Sequence, residues 1–176
     1  MRFEPTPLAD VYLIHLTPRR DPRGSFARTF CAREFAEQGM ETNFVQANIS
    51  TNARAGTVRG LHFQRAPHDE VKLVRCSFGA IYDVVVDLRK HSRTYLGWFG
   101  ADLSEANGTM MYVPKGFAHG YQALSDGASV SYMVSAFYAP EAEHGLRYDD
   151  PALAIAWPRA MSEISDKDAQ WPLLRA

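Results

Sequence analysis

Turn residues interrupt this chain so often that long helices have no room to form. Asp21-Pro22-Arg23-Gly24, Phe78-Gly79, Asn107-Gly108, Pro114-Lys115-Gly116 and Ser125-Asp126-Gly127 each mark a reversal, and short segments in period two lie between them. Ala80-Ile81-Tyr82-Asp83-Val84-Val85-Val86-Asp87-Leu88 is rich in β-branched side chains. Ser129-Val130-Ser131-Tyr132-Met133-Val134-Ser135 puts Val130, Tyr132 and Val134 on one face, with serines mostly on the other. Further strands are predicted over 11–16, 44–49, 58–64, 71–77, 98–103, 110–113 and 120–124. The helical pattern that stands out runs over 29–39, where Cys31 and Ala32 are followed at helical spacing by Phe35 and Ala36 and Gly39 supplies a stop. Many short strands at regular spacing predict an all-β fold, a double-sheet jelly roll or barrel with a short N-terminal helix. Pro151, Pro158 and Pro172 predict an irregular or partly helical C-terminal segment laid against it.

No repeat, low-complexity tract or linker divides the 176 residues, so one domain over 1–176 is expected. A chain of this length buries roughly 70% of its unfolded surface, enough for a core without disulfide or metal staples. With 19 Lys+Arg against 20 Asp+Glu and a net charge of −1, nucleic acid is excluded as the main ligand, although a local basic pocket is not. The basic side chains are mostly Arg, whose fork suits phosphate and carboxylate; the lysines are Lys72, Lys90, Lys115 and Lys167. No apolar run approaches the roughly 18 residues of a membrane span, and Met1-Arg2-Phe3-Glu4-Pro5 has no signal-peptide character. Cys31 and Cys76 stand in no metal or redox spacing, which reads as a reducing, cytoplasmic setting without a membrane partner.

Pro114-Lys115-Gly116-Phe117-Ala118-His119 has the P-x-G-x-x-H spacing of the second half of the cupin signature, a tight turn followed by a strand that aims its histidine into the barrel. A metal-binding cupin also carries H-x-H and a nearby Glu in its first half. Here the corresponding segment, Gly60-Leu61-His62-Phe63-Gln64, holds one histidine. Two imidazoles make a poor divalent-ion site, so no metal is expected and the chemistry falls to acids and bases. His62 reads as a general base or as a satisfied core histidine. Tyr132 reads as an acid or as a buried, hydrogen-bonded phenol. Lys72, inside Val71-Lys72-Leu73-Val74, must be paired or functional, and a salt bridge to Asp83 would account for both residues on structural grounds.

Arg59-Gly60-Leu61-His62-Phe63-Gln64, Lys72-Leu73-Val74-Arg75-Cys76, Asp83-Val84-Val85-Val86-Asp87-Leu88-Arg89, Pro114-Lys115-Gly116-Phe117-Ala118-His119-Gly120 and Ser165-Asp166-Lys167-Asp168 together resemble, in order and spacing, the motifs of the dTDP-4-dehydrorhamnose 3,5-epimerases. The resemblance runs over about residues 23–174. It implies a cofactor-free, cupin-like double-stranded β-helix (jelly roll), usually a homodimer, that acts on a nucleotide-sugar substrate. Such enzymes invert the carbons flanking the C4 ketone of dTDP-4-dehydro-6-deoxy-D-glucose, on the way to dTDP-L-rhamnose. By this resemblance His62 is the base, Asp168 orients it, Tyr132 is the acid on the opposite face and Lys72 stabilises the enolate. Arg23, Arg59 and His119 resemble residues that hold the diphosphate and sugar. Gln46, Asn48, Glu143 and Lys167 match further nucleotide-sugar contacts, and Tyr138 matches the aromatic residue that stacks on thymine. Arg59 and His62 differ by three, which strict alternation sends to opposite faces, so a bulge is predicted at Gly60.

The chain departs from the family pattern around the nucleotide. Arg23-Gly24-Ser25-Phe26-Ala27-Arg28 stands where the family usually reads R-G-x-F-x-E, which places the basic Arg28 among the substrate-binding candidates. Gln46-Ala47-Asn48 stands for Q-D-N, and Met133 for a frequent Lys. These positions bear on the substrate more than on the reaction. The alternatives are a mono-epimerase, at C3 or C5, of another dTDP-, CDP- or GDP-deoxysugar, a non-catalytic carbohydrate-binding cupin, and a metal-dependent cupin isomerase or dioxygenase. The strand over 11–16 reads as an edge that a partner subunit or the chain's own sheet covers.

Overall fold

Alternation sorts each strand's side chains onto two faces. In the computed structural model, which describes residues 1–174, this produces two antiparallel sheets packed with their apolar faces together. In chain order the strands are β1 (Arg2–Pro5), β2 (Tyr12–His15), β3 (Arg19–Asp21), β4 (Gly24–Phe26), β5 (Gln46–Thr51), β6 (Val58–Gln64), β7 (Lys72–Phe78), β8 (Ala80–Asp87), β9 (Trp98–Ser104), β10 (Thr109–Val113), β11 (Phe117–Ala123), β12 (Ser129–Val134) and β13 (Glu143–Gly145). The helices are α1 (Ala32–Glu37) and α2 (Asp166–Ala169). One sheet has six strands in the order β1-β2-β10-β7-β12-β5, the other five in the order β13-β6-β11-β8-β9, and β3 and β4 form a separate hairpin. Both larger sheets keep free edges, so the jelly roll is an open sandwich and not a closed barrel.

Val74, Met111 and Val130 of the six-stranded sheet meet Ile81, Val85 and Leu103 of the other in the central core. Each such side chain contributes about 1.5–3 kcal/mol on burial. The outer face of the six-stranded sheet, with Ile14, Leu73, Met110 and Tyr112, is covered by Phe35 of α1, whose ring takes Phe3 and Phe30 edge-on. The outer face of the five-stranded sheet, with Leu61, Val84, Val86 and Ala118, is covered by Leu146, Leu153, Ile155 and Trp157 of the C-terminal segment.

The helix is shorter than the 29–39 pattern. Cys31 stands at its N-cap without a side-chain hydrogen bond, so nothing extends the first turn, and Gly39 at φ +68° ends the last. Of the two covers expected for the strand over 11–16, the chain's own sheet supplies it: β2 lies between β1 and β10, because Arg2–Pro5 forms a strand that the sequence reading left out. The expected bulge is present. His119 pairs with His62 and Tyr121 with Arg59, so β6 carries one residue more than β11 across that stretch. Gly60 absorbs it at φ +110°, where a Cβ would stand 2.6 Å from Cα of Gly120.

Candidate active site

Residues directly opposite in antiparallel strands share a face, so the registers assign the walls of the site. Tyr132 stands opposite Asn48, and Val134 opposite both Gln46 and Lys72, which puts Gln46, Asn48, Lys72 and Tyr132 on the inner face of the six-stranded sheet. The bulge brings Arg59 onto the same inner face of the other sheet as His62 and His119. Between them lies a cleft of about 500 Å³ lined by Arg59, His62, Lys72, His119, Tyr132 and Asp168 among others. An adjoining lobe of about 320 Å³ shares His62, Lys72 and Tyr132 and adds Gln46, Asn48, Tyr138 and Glu143. Clefts of this size take small organic ligands.

Asp168 is carried into the cleft by α2. Ser165 caps that short helix, its Oγ accepting from the Asp168 N–H at 3.1 Å. The Asp168 carboxylate, 3% exposed, stands 2.6 Å by its Oδ1 from Nε2 of His62 and takes the Gly60 N–H on Oδ2 at 3.1 Å. Burial alone would raise this carboxyl, but the hydrogen bond and charge of His62, the Gly60 amide and Trp171 outweigh it and hold Asp168 below the usual carboxylate range. An ionised Asp168 fixes the proton of His62 on Nε2 and leaves Nδ1 as the basic atom. Across the cleft, burial, reinforced by Tyr121 and the charge of Glu70 and opposed by Arg59, pushes the Tyr132 phenol up, which favours its protonated form.

Lys72 and Asp83 do not pair. They belong to different sheets, and each has a nearer partner. Lys72 Nζ stands 3.1 Å from Glu70, two residues back, and His119 Nε2 stands 2.8 Å from the fully buried Asp83. Glu70 was not legible as a site residue, although its spacing of two from Lys72 keeps both on one side of extended chain. The second oxygen of Asp83 has no hydrogen-bond partner among the described residues.

The adjoining lobe is framed by Tyr138, whose N–H donates to Gln46 Oε1 at 2.8 Å and whose hydroxyl donates to Glu143 at 2.6 Å. Glu143 also pairs with Lys167. Burial works against its ionisation, but Lys167 and Tyr138 hold Glu143 below its ordinary value. Gln64 fixes this corner from below, taking the Ala139 N–H and donating to the Phe137 carbonyl. Arg23 and Arg28 lie elsewhere. Arg23 is on the tip of the exposed β3–β4 hairpin, paired with Asp21 at 2.7 Å, and Arg28 pairs with Glu34. Neither lines the cleft of this chain.

The family model described as dTDP-4-dehydrorhamnose 3,5-epimerase matches residues 5–176. The chain belongs to the dTDP-4-dehydrorhamnose 3,5-epimerase family. A member from Methanothermobacter thermautotrophicus is 45% identical over 177 residues, 99% of this chain and 95% of that protein. A dTDP-4-dehydrorhamnose 3-epimerase from Streptomyces niveus is 41% identical, over 99% of this chain and 84% of its own length. The crystal structure of the Bacillus anthracis dTDP-4-dehydrorhamnose 3,5-epimerase with TDP and PPi bound superposes with a TM-score of 0.95 at 41% identity, covering 98% of this chain and 99% of that one. His62, Lys72, Tyr132 and Asp168, expected from the sequence to form the catalytic set of an isomerase, all line one cleft. Among the described residues no three His, Cys, Asp or Glu side chains converge as metal ligands, and no helix is long and apolar enough to cross a membrane.

Proposed function

We propose that this chain inverts both carbons flanking the ketone of a dTDP-linked 4-keto-6-deoxy sugar, converting dTDP-4-dehydro-6-deoxy-D-glucose to dTDP-4-dehydro-L-rhamnose. The observation that carries the reading is a carboxylate-oriented imidazole and a partly buried phenol on opposing walls of one cleft. A hydrogen next to a ketone is acidic enough for an imidazole to remove if the enolate oxygen is stabilised. His62 takes that proton through Nδ1. The Lys72 ammonium faces the oxygen on which charge develops. Tyr132 then gives its proton to the carbon from the other side, which inverts it. The acid and base contribute about 10²–10⁴-fold each. Arg59 and His119 hold the diphosphate, where the guanidinium fork suits phosphate oxygens. Tyr138, Gln46, Asn48, Glu143 and Lys167 form the nucleotide end.

The whole chain, 1–176, works as one unit in a homodimer. Arg23 and Arg28 reach a nucleotide only from a second copy, because the β3–β4 hairpin stands away from the chain's own cleft. Phe26 on that hairpin and Ile49 on the edge strand β5 are each 69% exposed, which suits an interface.

The Streptomyces niveus relative favours one second reading, inversion at a single carbon. Incubation with dTDP-4-dehydro-6-deoxyglucose in deuterated water separates the two. Two deuterated and inverted carbons per product support double inversion, a single inverted carbon supports single inversion, and no deuterium rejects the dTDP-sugar reading.

A further inference from the structure

The basic side chains of the cleft are held in two different ways. Lys72 pairs with Glu70, Lys167 with Glu143, His62 with Asp168 and His119 with Asp83, so each has a carboxylate beside it. Arg59 has no carboxylate within ion-pair distance among the described residues. Its Nε instead donates to the amide oxygen of Asn52 at 2.8 Å, and one Nη donates to the Thr51 carbonyl at 3.3 Å.

Asn52 is 1% exposed and fully committed. Its amide nitrogen donates to the Ala128 carbonyl at 2.9 Å and to the Tyr121 hydroxyl at 3.3 Å, which leaves the oxygen facing Arg59. Tyr121, 4% exposed, in turn donates to Ser50 Oγ at 3.0 Å. We propose that Asn52, braced by Tyr121, is a positioning residue that orients the Arg59 guanidinium while leaving its charge uncancelled for the substrate's diphosphate. The inference rests on the assignment of Arg59 to the diphosphate.

The physical argument is one of charge type. A carboxylate in place of the amide would orient the guanidinium equally well, but it would neutralise it and face the incoming phosphates with a like charge. A neutral, buried amide supplies the orientation without either cost. With Nε given to Asn52 and one Nη hydrogen to Thr51, the other Nη hydrogens of this cleft-lining residue remain for the forked contact that phosphate oxygens accept. Because the contact lies away from the reacting carbons, its loss lowers affinity for substrate and transition state alike, so KM moves and kcat does not.

The test is the affinity of the full chain for dTDP and for thymidine in the wild type, Asn52→Asp, Arg59→Ala and the double variant. Arg59→Ala weakens dTDP and spares thymidine. Asn52→Asp weakens dTDP about tenfold or more, spares thymidine, raises KM with kcat within about twofold, and adds nothing in the Arg59→Ala background. Full additivity in the double variant would assign Asn52 a merely structural role and overturn the proposal. Unchanged dTDP affinity in Asn52→Asp, with Arg59→Ala impaired, would overturn it as well. Unchanged affinity in Arg59→Ala overturns the underlying assignment of Arg59 instead. Should Asn52→Asp fail to fold, Tyr121→Phe removes the brace while keeping the ring. A few-fold rise in the dTDP dissociation constant supports the proposal, and wild-type affinity contradicts it.

Discussion

His62, Tyr132, Lys72 and Asp168 divide the proposed chemistry, and removing the base, the acid or the orienting carboxylate has a measurable consequence. His62→Ala and Tyr132→Phe are each expected to lose about 10²–10⁴-fold in kcat while binding dTDP as the wild type does, which calorimetry alongside turnover assays would check. Asp168 carries a pH signature. Its folded pKa lies below the unfolded value of about 3.9, so its contribution to stability is complete above that value and disappears as the pH falls through the folded pKa. Urea midpoints between about pH 3 and 7 are therefore expected to fall less steeply in acid for Asp168→Asn than for the wild type, from a lower starting point at neutral pH. A parallel pair of profiles would remove Asp168 from the account of acid stability. The residue types in this set were legible because a lysine in an apolar strand and a histidine beside a glycine demand explanation. Their partners were less so. A salt bridge between Lys72 and Asp83 is the structural alternative that their apolar strands suggest, but pairing across strands depends on which sheet each joins, and that information is not local.

At the scale of the element, the site depends on two irregularities. The Gly60 bulge brings Arg59 and His62 to one face, and its necessity followed from counting alone. Gly60→Ala puts a side chain at φ +110° and its Cβ against the backbone of Gly120, with no flexible neighbour to yield. We expect a loss of about 3 kcal/mol by chemical denaturation, and loss of activity under conditions where the fold survives. The α2 cap is the second. Ser165→Ala is expected to cost about 1 kcal/mol and to lower kcat, because the short turn that aims Asp168 then lacks its N-cap hydrogen bond. Period two and turn residues located most strands to within a residue or two, including β6 without error. Arg2–Pro5 escaped because four residues with a proline at the end carry too little pattern, and its pairing with Tyr12–His15 is what makes it a strand.

For the whole molecule, the feature that the proposed mechanism uses is the opposition of the two sheets: His62, the proposed base, lies on one wall, and Tyr132 and Lys72, the proposed acid and enolate-stabilising lysine, lie on the other. The double-sheet class was readable from strand number, but not whether the sheets would close or which strands would be edges, because those properties depend on neighbours distant in sequence. The proposed dimer adds a prediction at this scale. Arg23→Ala and His62→Ala are each expected to be impaired alone. Mixed after subunit exchange, they regain about a quarter of wild-type activity, since half the dimers then hold one intact site in two. No recovery on mixing would mean that Arg23 does not serve a partner's cleft.

The opposed pair itself is tested most directly by stereochemistry, with Tyr132→Phe incubated in deuterated water with dTDP-4-dehydro-6-deoxyglucose. The base remains and the opposing acid is gone, so the account predicts deuterium entering next to the ketone with the configuration retained, and no such exchange in His62→Asn. Inverted product from Tyr132→Phe at the wild-type rate, or exchange in His62→Asn equal to that of the wild type, would contradict it.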